Sequence, residues 1–236
     1  MLVKEVIQRI QSAYSKGVQS DDSRLTSKHI YNVLLTQRTR LIVQQAKKKQ
    51  RIGDWNYVVL SCVELIEVPS HECSCLADLG CSVLRTKYKL PKTLTDLNKH
   101  LIQWVLSIDS TLRIDEVLRE EFFYQAGNKY TSKKPRYILE NEYLYFPLPD
   151  VTPHVVKIKL LAEDPIEAYN YPSLCEEVEC EECNDCSSPL DKEFPIDGEL
   201  LQTVIELTAD ELIRTFASSL EDKTNDSSDS PAQQSK

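Results

Sequence analysis

Val3, Val6, Ile7, Ile10, Ala13 and Tyr14 recur at steps of three and four, which places these side chains on one face of a helix. Gly17 stands where such a helix would end. After the polar run from Gln19 to Arg24, either Thr26 or Ser27 can accept the free N–H groups of a second helix. Its apolar positions are Ile30, Val33, Leu34, Leu41, Ile42 and Ala46, and the pattern runs to about Gln50. Lys47, Lys48, Lys49 and Arg51 then lie where the helix macrodipole favours positive charge, with Gly53 closing the segment.

From Asn56 to Val68 the residues become β-branched and aromatic, which predicts a strand stopped by Pro69. Cys81 to Leu90 alternates enough to be its partner, with Ser70 to Gly80 as the connection. Leu101 to Ile108 fits both periods and is read as a strand. A short helix is expected over Asp115 to Tyr124, and strands over Arg136 to Phe146 and Val155 to Leu161, set between prolines. Residues 172–197 read as an irregular acidic linker or arm. Asp197 can cap a last amphipathic helix through Leu200, Leu201, Val204, Ile205, Leu212, Ile213 and Phe216. Residues 221–236 are polar and Ser/Asp-rich and are expected to be disordered without a partner.

The fold class expected from this order is α+β, an N-terminal helical hairpin or bundle followed by a β-rich middle, a C-terminal arm and an amphipathic helix. The divisions are 1–53, 54–161, 162–197, 198–220 and 221–236. At 236 residues the chain fits one domain with extensions. No apolar stretch approaches the roughly 20 residues needed to cross a bilayer, so no membrane partner is expected. The N-terminus has no continuous apolar centre of the secretory kind, so the protein is expected to act where it is made.

The net charge of -9 hides a gradient. Residues 1–51 hold 11 Lys/Arg against 3 Asp/Glu, residues 52–161 hold 13 against 14, and residues 162–236 hold 4 against 20. Such polarity suits a subunit whose acidic end meets a basic neighbour, or a chain with an acidic solubilising tail.

Candidate chemistry is sparse. The five glycines are isolated, so the sequence has neither a phosphate loop nor a dinucleotide fingerprint. His29, His71, His100 and His154 show no zinc-protease spacing, and no G-x-S-x-G elbow is present. No catalytic residue and no cofactor are assigned. The cysteines are the one feature that points toward a metal: Cys180, Cys183 and Cys186 have two residues between neighbours, Cys175 precedes them, and Cys73, Cys75 and Cys81 lie near His71. Short spacing lets thiolates converge on a tetrahedral zinc ion. Without a secretion signal, reduced thiols are the default, with bound metal the alternative. The basic helix from Lys28 to Arg51 offers cations to phosphates, yet lacks the interleaved aromatics of a stacking platform, so any DNA contact would be non-specific.

The run SDDSRLTSKHIYNVLLTQRTRLIVQQAKKKQRIGDWNYVVLSCVELIEVP, then HECSCLADLGCSVLRTKYKLPKTL, GNKYTSKKPRYILENEYLYFPLPD, EDPIEAY and DKEFPIDGELLQTVIELTADELI, resembles structural proteins of crAss-like phages, the podovirus-like tailed phages of gut Bacteroidetes. The likeness covers most of the chain. It implies a non-enzymatic virion component of the head-to-tail neck, assembled in the host cytoplasm: a homo-oligomeric, dodecameric ring that adapts the portal to the tail. Portal protein and other neck or tail rings are then its partners, and packaged DNA a further non-specific contact. Leu200, Leu201, Val204, Ile205, Leu212, Ile213 and Phe216 are the residues expected to carry a subunit contact, unless the stripe packs on the chain's own N-terminal helices. A zinc- or redox-cysteine enzyme and a DNA-binding accessory virion protein are the readings from other classes.

Overall fold

A computed structural model describes residues 1–15, 25–69, 71, 82–96, 99–118, 121, 130, 133–147, 150, 152–175 and 189–224, the backbone alone for 217–224. The chain divides into a helical unit, Met1–Ile42 with Leu190–Lys236, and a β unit, Val43–Pro189.

In the helical unit, α1 spans Val3–Tyr14 and buries Val3, Val6, Ile7 and Ile10, as the three-and-four spacing requires. Glu5 accepts the Leu2 N–H at 3.0 Å and so satisfies a free donor at the helix start. The α2 helix, Ser27–Lys47, begins after Thr26, whose Oγ1 accepts the His29 N–H at 3.3 Å. It stops earlier than the sequence pattern suggests. Lys49 adopts φ 53, its N–H bonds to the Ala46 carbonyl at 2.9 Å, and the Gln50 N–H reaches back to Gln45 at 3.0 Å. This is a Schellman closure made with lysine in the left-handed position usually given to glycine. Gly53 instead precedes a 3-10 turn at Asp54–Asn56. Gly17 lies outside the described residues.

The β unit is a closed barrel of seven strands. In chain order the strands of this unit are β1 Val58–Pro69, β2 Ser82–Thr86, β3 Thr95–Asp96, β4 Lys99–His100, β5 Ile102–Ser107, β6 Arg113–Glu116, β7 Arg136–Glu140, β8 Tyr143–Phe146 and β9 Val155–Leu160. The barrel order is β1-β2-β8-β7-β6-β5-β9, with β9 returning to β1, while β3 and β4 form a separate two-stranded ladder. The β6–β7 pair is parallel; the other neighbouring pairs of the barrel are antiparallel.

One irregularity sets which residues of β1 face the core. Leu60 pairs with Ile158 and Val63 with Val156, so β1 carries one residue more than β9 between these points. Cys62 takes φ 53 in this bulge. Before it Val58 and Leu60 are buried; after it Val63 and Leu65 are. Without the extra residue, Glu64 would take the inward phase that the bulge gives to Val63 and Leu65. The core is completed by Leu84, Val105, Ile114, Leu144, Phe146, Val156, Ile158 and Leu160. A second apolar cluster gathers Val68, Val83, Val117, Ile138 and Tyr145.

Three sequence expectations change. Arg136 to Phe146 is two strands, because Asn141 and Glu142 both take positive φ, 51 and 68, and close a two-residue hairpin. Glutamate rarely occupies that position, so the turn has no glycine to announce it. The helix expected over Asp115 to Tyr124 is not formed at its start: Asp115 and Glu116 belong to β6, where pairing with β7 outweighs the local preference for helix. The rest of that segment, apart from residues 117, 118 and 121, lies outside the described residues. Within the acidic stretch, Asp164 caps a short helix α3, Pro165–Tyr169, by accepting the Ile166 N–H at 2.9 Å.

The reduced-thiol expectation is also overturned, at two cysteines. Cys62 and Cys175 form a disulfide with Cα atoms 5.8 Å apart. The Leu174 N–H bonds to the Cys62 carbonyl at 3.1 Å, and the Ser173 hydroxyl to the Ser61 carbonyl at 3.0 Å. The segment after α3 is thus held along the β1 bulge. Cys175 is thereby removed from the metal-ligand set. Cys73, Cys75, Cys81, Cys180, Cys183 and Cys186 lie outside the described residues. The bridge joins positions 113 residues apart, a long loop in the unfolded chain. Cys62→Ser is therefore expected to destabilise the oxidised protein by about 2–5 kcal/mol in urea unfolding, with wild type in reductant losing a similar amount.

Candidate assembly surface

The last helix, α4, covers Gly198–Thr224, with the Asp197 carbonyl accepting the Leu200 and Leu201 N–H groups at 3.0 Å each. The helix continues to Thr224, through the first residues of a tail expected to be disordered; residues 225–236 are not described. It packs on α1. Val204, Ile205, Thr208, Ala209 and Leu212 are buried there, and the Thr208 hydroxyl is satisfied by donating to the Val204 carbonyl at 2.7 Å.

The seven-residue stripe named from the sequence is therefore divided. Val204, Ile205 and Leu212 belong to the chain's own helical core, whereas Leu200, Leu201, Ile213 and Phe216 are only half-buried. Phe216 sets its ring edge-on to Tyr14, centroids 6.3 Å apart, and to His29 at 6.0 Å. The half-buried members are the part of the stripe that retains surface for a neighbour.

The strap at Leu190–Ile196 is tied to the start of α1. Leu2 and Glu193 form a bridge, the Val3 N–H donates to Lys192 O and the Phe194 N–H to Met1 O, both at 2.9 Å. Lys4 Nζ lies 2.5 Å from the Asp191 carboxylate. Beneath the strap, Arg38 has no exposed surface. Its Nε donates to the Pro195 carbonyl at 3.0 Å, and its guanidinium lies 6.0 Å from the Phe194 ring centroid. The neighbouring Gln37 amide donates to Glu211 on α4. Arg38 counted as one cation among many in the sequence, yet it is the centre around which the strap closes.

The barrel contributes a different surface. Val59, Lys159 and Trp104 are cross-strand neighbours on β1, β9 and β5, and Val59 is exposed. Lys159 holds Asp54 at 3.0 Å and lies 5.1 Å from the Tyr57 ring centroid. The Lys159 contact is the main cause that keeps the Asp54 carboxyl below the ordinary carboxylate range, while burial pushes the Tyr57 hydroxyl up. Trp55, on the adjoining 3-10 turn, is 76% exposed. Leu118 and Tyr130 are similarly open, at 69% and 81%. Sequence reasoning missed these residues; Val59 and Trp104 could have been found only by knowing the strand register.

At the β5–β6 turn Ser110 takes φ 60 and Asp109 organises the loop. The carboxylate accepts from the hydroxyls of Ser107 and Thr111 and from the Thr111 N–H. These bonds, Ser107 first, bring its pKa down to about 2 from 3.8.

A cleft of about 330 Å³ is lined by Leu90, Thr93, His100, Leu139, Glu142 and Glu163 among others, and His100 Nδ1 lies 2.9 Å from Thr93 Oγ1. In the β unit His100 lies in this cleft and the His154 carbonyl accepts the Leu65 N–H at 2.8 Å; in the helical unit His29 meets Phe216. Among the described residues no group of three His, Cys, Asp or Glu side chains is placed to hold a metal. Among the same residues no helix is long and apolar enough to cross a membrane.

Two measurements probe this surface. Arg38→Ala should lower unfolding free energy by about 2–3 kcal/mol, since the Pro195 carbonyl loses a charge-assisted partner and the strap loses its support. For Asp109 the folded pKa lies below the unfolded value, so its contribution is present above about pH 4 and disappears as pH falls through about 2. An NMR titration should place the Asp109 midpoint near 2, and Asp109→Asn should flatten the acid limb of the stability profile between these values.

The chain matches the family described as phage tail ring protein 2 over residues 5–233. It is also 33% identical, over 211 residues, to "Ring protein 2" of Bacteroides phage crAss001, an alignment covering 83% of this chain and 84% of that protein.

Proposed function

The chain belongs to the phage tail ring protein 2 family, and from that premise we propose that its copies form a closed homo-oligomeric ring in the neck of the virion, joining the portal to the tail. Its role in this reading is structural and non-enzymatic. Neighbours are the portal protein and other rings of the neck or tail, and a dodecamer is the expected copy number. Assembly takes place in the host cytoplasm.

The observation that carries this reading, beside the family, is the amount of apolar surface a single copy leaves open. Trp55, Leu118 and Tyr130 are each more than two-thirds exposed, and α4 keeps Leu200, Leu201, Ile213 and Phe216 half-open. Large aromatic and aliphatic side chains of this kind act as anchors in subunit contacts. A heterologous contact repeated around an axis covers such surfaces on every copy at once and closes without leftover faces.

Native mass spectrometry and negative-stain imaging of the purified chain, alone and with portal protein, test the proposal. The expected outcome is a discrete closed species of one stoichiometry that binds the portal. Trp55→Ala together with Tyr130→Ala should shift the population toward smaller species while leaving the circular dichroism spectrum unchanged. Monomers in both samples would contradict the ring.

A further inference from the structure

Between Asp22 and Asp54 the chain has no carboxylate at all. Most of that stretch is α2, which exposes Lys28, Arg40 and Lys47 and is followed directly by exposed Lys48 and Lys49. Among the described residues none of these five cations meets an acidic side chain; the ion pairs formed there involve Lys4, Lys87, Lys89, Arg113 and Lys159 instead. An exposed helix face that gathers positive charge without local neutralisation repels itself and gains by meeting a negative partner.

The same chain carries a face of the matching kind. On α4, Glu199, Glu206 and Asp210 are exposed, and their spacing of seven and four residues puts them within one narrow stripe of the helix. The stripe stays open because α4 is turned with Val204 and Leu212 buried. Arg40 and Lys47 are also seven residues apart on one face of α2. In each helix seven residues are two turns, so both pairs hold their charges roughly 10 Å apart.

We infer that the basic face of α2 is the docking site for the acidic face of α4 from a second copy of this chain. This rests on the ring reading and names the surfaces that join one subunit to the next. The helices lie antiparallel, with Glu199 opposite Lys47 and Glu206 opposite Arg40. That orientation sets the positive N-terminal end of one helix dipole beside the negative C-terminal end of the other. Because α2 of one copy meets α4 of the next, the contact is heterologous: every added copy leaves one basic and one acidic face free until the ring closes. Long-range attraction between the faces guides encounter and register, and the apolar anchors then supply most of the holding energy.

The test is charge reversal in the full-length chain. Arg40→Glu with Lys47→Glu reverses one face; Glu199→Lys with Glu206→Lys reverses the other. Either pair alone should reduce the ring fraction at least tenfold at low salt, with thermal unfolding unchanged, and the chain carrying all four changes should recover rings. Mixing the two single-face variants should restore rings of alternating copies, since each face of one variant complements the facing surface of the other. Wild-type rings that also form from each single-face variant would overturn this docking assignment and leave the ring reading intact. Absence of rings from wild type would remove the ring reading itself, and this assignment with it. Should the α2 reversal abolish salt-dependent binding of duplex DNA while assembly is unchanged, the basic face serves nucleic acid and the proposal is wrong.

Discussion

Closure of the barrel constrains how this protein can associate. Each of its seven strands has a neighbour on both sides, so no row of free N–H and C=O groups among them is left to recruit a strand from another chain. Contacts made by the barrel strands therefore pass mainly through their side chains. The phase of β1 within the barrel is set by one extra residue: the bulge at Cys62 brings Val63 and Leu65 into the interior and leaves Glu64 to pair with Lys87 at 2.7 Å. The disulfide to Cys175 fastens the following segment at that same irregularity.

The helical unit meets the same constraint by a different means. Two helices offer little core, and later segments of the chain enlarge it: the strap bonds to Met1 and Val3, Arg38 bonds to Pro195, and α4 lies on α1. Burying a guanidinium is costly, and the Pro195 carbonyl and the Phe194 ring lessen that cost. The polar surface that remains is sorted by sign. Exposed Arg40 and Lys47 lie on α2, and exposed Glu199, Glu206 and Asp210 lie along α4.

Much of this organisation was legible in the residues. The start of α2 followed from Thr26, the apolar face of α1 from Val3, Val6, Ile7 and Ile10, and the strand periods of β1, β2, β5 and β9 from their β-branched content. The failures share a cause: a local signal was outvoted by a partner distant in sequence, or a residue stood where another type is usual. Lys49 ends α2 in a glycine's conformation, and Asn141–Glu142 turns a hairpin without one. Asp115 and Glu116 read as helical until β5 and β7 are placed beside their strand. The link between Cys62 and Cys175 had no sequence signal, since spacing arguments favour cysteines that are close together. On α4, periodicity found Val204, Ile205 and Leu212 but not Ala209, which is buried beside them, and said nothing of how far each residue would be covered; that depended on where α1 lies.

The central claim is that a chain with a closed barrel and two opposed charged helix faces is a repeating wall element of a phage particle. A cryo-electron microscopy reconstruction of the neck and tail of the virion tests it most directly. The account predicts a closed ring in which each repeat fits one copy of this fold, with α2 of every copy beside α4 of the next. A particle that lacks this chain, or holds it as isolated copies without cyclic symmetry, would contradict it.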